Sequence, residues 1–250
     1  MSTQRVKAMN RKTFIVFCLI FSLLCLPILW LIGWHHGATA AISWPGSLGG
    51  PTEPGYNPVD MLWWLLLFTP VWGACGGIFS AGLSTARYVL PRYGRLRRWW
   101  FFLIGRTMAV NLLYFVLLTM INIFCFPKSA ALENMDAPMT FFLVRISVIL
   151  WAHSSAMIAI MIWIVILSQQ HTMALFFILV IQALGKIPVI MGCPPALNPL
   201  VWGMYGYSTD CMSAGGFSPG FVLIAEILCI LSAAVLPLFK KSFILRSVGL

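Results

Sequence analysis

Six runs of apolar residues dominate the chain, and each is long enough to cross a hydrocarbon core, which takes about 20 helical residues for about 30 Å. They are Thr13 to Trp34, Met61 to about Ala81, Thr107 to Phe126, about Ile146 to Leu167, Thr172 to Met191 and Phe221 to Phe239. Backbone inside lipid has no water to bond, so it must satisfy its own amides, and a helix does this within one segment. The pattern predicts an all-α integral membrane protein with six transmembrane helices. Composition agrees, because only 9% of the 250 residues are charged, where a water-soluble domain carries about a quarter.

The first run follows basic residues, and Ala38-Thr39-Ala40 beyond it looks like a cleavage site. A secretory apolar region is about 7–15 residues, shorter than this one. The run therefore reads as a retained helix, with Pro27 as its kink.

Charge sets the expected orientation. With the N-terminus in the cytoplasm, thirteen of the sixteen basic residues lie inside: four in a stub over residues 1–12, six between the second and third runs, and three in the C-terminal tail. Lys128, Arg145 and Lys186 fall outside, with five of the six acids. That bias is the positive-inside pattern, and it places both termini in the cytoplasm. The net charge of +10 then serves topology and anionic headgroups, not nucleic acid.

The connections differ in kind. Only Ser168-Gln169-Gln170-His171 separates the fourth and fifth runs, which predicts a tight helical hairpin. The segment over residues 192–220 is too apolar for a free loop and too short for two spans. Leu197, Leu200, Val201, Trp202, Met204 and Tyr205 make it amphipathic, and it reads as a short re-entrant or interfacial helical hairpin on the outer face.

No Walker A pattern, HExxH, GxSxG or paired-cysteine zinc spacing occurs, so no motif marks an enzyme, a nucleotide site or a metal site. What remains is a concentration of charge over residues 85–106, in "RYVLPRYGRLRRWWFF", with Arg87, Arg92, Arg95, Arg97 and Arg98 beside Trp99 and Trp100. Two roles fit it. One is a topology signal with the two tryptophans as an interfacial belt. The other is a grip for a cytoplasmic partner, formed by a short helix across the membrane face that ends at Pro91 and Gly94. Arginine suits that role through its planar, multi-donor fork.

With six runs, a basic N-terminal stub and these motifs, the chain resembles an ABC-2-type permease, and more narrowly the bacterial group linked to lantibiotic and bacteriocin immunity. The motifs are Arg92-Tyr93-Gly94-Arg95 with Trp99-Trp100, and Asn198-Pro199-Leu200-Val201-Trp202 before the sixth run. Leu96, Arg97 and Arg98 depart from the first pattern. The resemblance implies a single membrane domain in a bacterial plasma membrane, paired with a second permease subunit as a homo- or heterodimer. It also implies two separate cytoplasmic ATPase subunits that bind ATP and magnesium, docked on Arg87, Arg92, Tyr93, Gly94, Arg95, Arg97 and Arg98. An outer lid would include Asn198, Pro199, Trp202 and Tyr205. The cargo would be amphipathic or peptide-like. The classes that compete with this are a stand-alone secondary transporter and an intramembrane lipid-modifying enzyme.

Among single residues, Glu226 is the one acid placed inside a run. Intramembrane carboxylates mark functional sites; in that role Glu226 would line the outer cavity on the substrate path and meet a cationic substrate, and the alternative is that it lies near enough the outer end to reach water or Lys186. His153 beside Ser154 and Ser155, and Asn111, Asn122 and Gln182, read as helix-to-helix hydrogen bonders. His35 and His36 are a weak metal signal. Cys193 and Cys211 bracket the lid, either as free thiols or as a disulfide contributing about 3 kcal/mol.

Overall fold

The computed structural model describes residues 56–93, 96–125, 139–168, 170–210, 212 and 215–239. The first apolar run, His35, His36, Gly94, Arg95, Cys211 and the two tails lie outside the described residues. Four helices are long and apolar enough to cross a membrane: α1 (Pro58–Tyr93), α2 (Leu96–Cys125), α3 (Met139–Ser168), and α4 (His171–Leu184) together with the short α5 (Ile187–Ile190). α6 (Pro219–Phe239) is the remaining described helix, with an apolar stretch over Pro219–Val235. No strand occurs among the described residues, so the fold is all-helical there.

α3 is the centre. It packs against α1, α2, α4 and α6, and 78% of its apolar span is buried, against 28% for the span of α4 and α5. The sequence explains this. α3 is apolar on every side, which suits a surrounded helix, and Ala152, Ser154, Ser155, Ala156 and Ala159 let neighbours approach closely. α1 faces it with an aromatic column at four-residue spacing. Trp64 meets Phe68 edge-on at 5.0 Å, and Phe68 stacks on Trp72 at 5.1 Å. The α3–α4 hairpin is as tight as the sequence suggests, with His171 opening α4 three residues after Ser168 closes α3.

α1 and α2 are longer than the runs that predict them. At 1.5 Å per residue they measure about 54 Å and about 45 Å, well beyond a core of about 30 Å. The region where α1 ends and α2 begins is the arginine arm. Arg97, Arg98 and Arg106 are exposed on its α2 strand of the hairpin, while Trp99 and Trp100 are buried between helices. This corrects the interfacial-belt expectation. Trp100 packs edge-on against Phe79 at 5.7 Å, and its Nε1 donates to the Ala234 carbonyl of α6 at 3.0 Å. The expected short helix before Pro91 is not separate either: α1 runs unbroken through Pro91 to Tyr93. Arg87, Arg92 and Tyr93 occupy its last two turns, where the backbone alone is described.

The arginine arm and the segment before α6 lie at opposite ends. Trp100 meets Ala234 near one end of α6, and Trp202 meets Phe221 at 5.8 Å near the other; the thirteen helical steps from Phe221 to Ala234 span about 20 Å. At the end opposite the arm Tyr56 donates to the Ala183 carbonyl at 3.1 Å, which ties the start of α1 to the end of α4.

The fifth run is not one helix. It turns at Gly185 and Lys186, because Pro188 has no amide hydrogen for the Leu184 carbonyl. The Gly185 carbonyl instead accepts from Asn198 Nδ2 at 2.6 Å. α5 closes with Gly192 at φ 92°, a left-handed cap that glycine adopts at no steric cost.

α1 and α2 approach closely at Gly82, where an added Cβ would stand 2.2 Å from Leu103 Cδ1. Gly82→Val should force the pair apart and cost about 1–3 kcal/mol, read as a lower unfolding midpoint in detergent. An unchanged midpoint would mean that Leu103 alone absorbs the added volume.

Candidate functional site

The segment before α6 folds as a cap of three 3₁₀ turns, Pro195–Leu197, Pro199–Val201 and Tyr205–Tyr207, where the sequence suggested a helical hairpin. The prolines explain the difference. Pro194, Pro195 and Pro199 offer no amide donors, so an α-helical ladder cannot start. Shorter bonds form instead, such as Asn198 N to the Pro195 carbonyl at 3.1 Å and Met204 N to the Val201 carbonyl at 2.8 Å. The amphipathic pattern still selects what goes inside. Val201, Met204, Tyr205, Tyr207 and Phe217 are buried, while Leu197 is exposed. A backbone bridge joins Ser208 to Phe217 and closes the cap.

Each lid residue named from the sequence has a positioning contact. Asn198 spans from the cap to the Gly185 carbonyl, and its Oδ1 accepts from Leu200 N at 3.2 Å. Pro199 opens the second turn. Trp202 Nε1 donates to the Ala196 carbonyl at 3.3 Å and its ring meets Phe221. Tyr205 donates to Asp210, whose Oδ2 lies 2.9 Å from the Arg145 guanidinium on α3. Burial pushes the Tyr207 phenol above its ordinary value, so it stays protonated. Cys193 carries a free thiol.

Beneath the cap two helices bring a carboxyl and an imidazole together. Glu226 of α6 is 3% exposed, and its Oε1 lies 3.0 Å from Nδ1 of the fully buried His153 on α3. This corrects the expectation that Glu226 reaches water or pairs with Lys186. His153 Nε2 lies 3.3 Å from Gln182 Oε1 on α4, and Gln182 Nε2 donates to the Leu200 carbonyl of the cap at 2.7 Å. One chain of contacts thus runs from α6 through α3 and α4 into the cap. Phe68 packs edge-on to the imidazole at 6.1 Å. Glu226 Oε2 is buried with no hydrogen-bond partner among the described residues.

The next polar layer is complete. Trp72 Nε1 donates to Ser154 Oγ at 3.0 Å, Ser154 donates to Asn111 Oδ1 at 2.8 Å, and Asn111 Nδ2 donates to Ser155 Oγ at 2.7 Å. These are the helix-to-helix bonds expected of Asn111, Ser154 and Ser155. His153 and Gln182 also join helices, but to a carboxyl and to the cap. Their i-to-j separations of 73 and 18 residues left no local signal of that pairing. The side chain of Asn122 lies outside the described residues.

The arrangement can hold a proton between the carboxyl and the imidazole, and its contacts extend into the cap. Among the described residues no group of three or more potential metal ligands gathers. Comparison with protein-family models, curated proteins and solved structures returns no match.

The cap sits on His153 through Gly203, where an added Cβ would fall 2.5 Å from the ring Cδ2. The ring is held on both nitrogens and cannot yield cheaply. Gly203→Ala should lift the cap at a cost of about 1–3 kcal/mol, seen as faster limited proteolysis over residues 195–210. Unchanged proteolysis would show that the cap rests elsewhere.

Proposed function

We propose that this chain is the membrane-spanning subunit of an ATP-driven exporter of the ABC-2 type. The observation that carries the reading is the arm. α1 and α2 are each longer than a bilayer requires, and Arg97, Arg98 and Arg106 are exposed on α2 at the end opposite the cap. A motor subunit needs a stiff, charged surface to push on. A helical hairpin stapled by Trp99 and Trp100 supplies stiffness, and guanidinium forks supply recognition.

On this reading two cytoplasmic ATPase subunits, with ATP and magnesium, dock on the arm from Arg87 to Arg98, and a second permease subunit completes the pathway. The cap closes the outer side. The cargo is amphipathic or peptide-like, and self-protection against an antimicrobial peptide in a bacterial plasma membrane is the biological role that fits. The buried His153–Glu226 contact favours one second reading, a stand-alone transporter driven by protons, because such proteins place ionisable residues inside the bundle.

Charge reversal separates the two. Arg97→Glu with Arg98→Glu, and equally Arg92→Glu with Arg95→Glu, should reduce co-purification of the ATPase by more than about tenfold while membrane insertion is unchanged. Retention of the ATPase by these variants would remove the docking role. Cargo translocation by the purified chain alone in liposomes would favour the proton-driven reading.

A further inference from the structure

We propose that His153 and Glu226 form a binding site for a single proton, and that this proton latches the cap onto the bundle through Gln182. The inference does not rest on the exporter reading, because it concerns how the outer side closes whatever drives transport.

Gln182 fixes the hydrogen count. Its amide nitrogen is committed to the Leu200 carbonyl at 2.7 Å, which leaves Oε1 facing His153 Nε2. A carbonyl oxygen only accepts, so Nε2 carries a hydrogen. On the other side, Nδ1 and Glu226 Oε1 at 3.0 Å need one hydrogen between them. An imidazolium facing a carboxylate meets that need, and so does a neutral imidazole facing a carboxylic acid. Both leave the site without net charge, as a buried position in a membrane bundle demands.

Removing that proton leaves one ring hydrogen for two oxygens. The anionic carboxylate is the stronger acceptor, so the hydrogen goes to Nδ1, and Gln182 Oε1 faces a bare ring nitrogen. Gln182 restores a bond there only by turning its amide nitrogen toward the ring. That turn sets Oε1 against the Leu200 carbonyl and releases the cap. A second proton has a place to go, the unpartnered Glu226 Oε2, and it breaks none of these bonds. The latch is therefore closed in acid and opens as pH rises.

The surroundings contain other charged and titratable groups. Cys229 lies on α6 about one turn beyond Glu226, with its thiol 3.9 Å from the Ala156 carbonyl. Lys186 is buried one turn beyond Gln182. The cap contributes Tyr205, Tyr207 and Asp210, the last paired with Arg145 of α3. α1 and α2 present Phe68, Trp72 and Asn111, which do not titrate.

Hydrogen–deuterium exchange over residues 195–210, in the full chain in lipid nanodiscs, tests the proposal. Protection factors are compared, so that the intrinsic pH dependence of exchange cancels. Protection should fall by about tenfold or more from mildly acidic to alkaline buffer, as loss of one hydrogen bond in a charged network implies. Glu226→Gln supplies a permanent amide donor to Nδ1, so its cap should stay protected throughout. Gln182→Met removes the latch and should give low protection at every pH. Cys229→Ala should keep the original profile. A flat profile in the unaltered chain overturns the proposal, as does an unaltered profile in Glu226→Gln or a lost one in Cys229→Ala. If Glu226→Gln does not fold, a pH-dependent cap in Gln182→Met overturns it instead.

Discussion

A carboxyl group inside an apolar bundle must find its donor within the bundle, because the alternative is an uncompensated charge or a bare acid in a medium that solvates neither. Glu226 meets this constraint through His153, and much else follows from it. The imidazole must be held in one orientation, so α3 and α6 must be in register at this level. α3 must therefore run through the middle of the bundle, with small residues wherever a neighbour crosses. The polar layer of Trp72, Asn111, Ser154 and Ser155 fixes α1 and α2 to the same helix. Each such bond contributes modestly, about 0.6 kcal/mol on average in a comparable setting. Their value lies more in specifying one rotation of each helix than in total stability.

The cap obeys the same rule in a different way. It lies at the end of the bundle where backbone is not helical, so its amides and carbonyls have to be satisfied singly. Asn198 supplies a donor to Gly185 just where the break before Pro188 frees that carbonyl, and Gln182 supplies one to Leu200. The break in the fifth span and the fold of the cap are thus one feature. A continuous helix through Gly185 would leave Asn198 without its acceptor. Gly216 shows how close the fit is, because a Cβ there would lie 2.9 Å from the Tyr207 carbonyl oxygen.

The long helices were legible in the sequence because lipid imposes length and composition together, and both can be read from a single chain. α1 to α4 and α6 stand where the apolar runs put them. Their extensions were not legible, since charged residues end an apolar run without ending a helix, and Leu96 to Arg106 is sound helical sequence. Trp99 and Trp100 misled for a related reason. Tryptophan beside arginine has the composition of an interfacial belt, and only the packing of Trp100 against Phe79 of α1 and Ala234 of α6 shows that the rings turn inward. The amphipathic cap pattern identified which residues are buried, but 3₁₀ turns and a short helix can both present such a pattern, and the prolines decided between them. Glu226 was conspicuous as an isolated acid. Its partner was hidden because contact between α3 and α6 depends on packing, and no local spacing encodes it.

One helix carries the features at both ends. α6 meets Trp202 through Phe221 at the cap, His153 through Glu226 about 8 Å further in, and Trp100 through Ala234 beside the arginine arm. These three contacts lie along a single rigid element, so a shift of α6 that strains one strains the others. A helix of this kind does not stretch, and its packed side chains exchange one arrangement for another instead of deforming gradually. Of the three, the His153–Glu226 contact is the most buried. The acid lies about two turns inside the capped end of α6. It is deep enough to be buried, and close enough for Gln182 to connect its histidine partner to the Leu200 carbonyl of the cap.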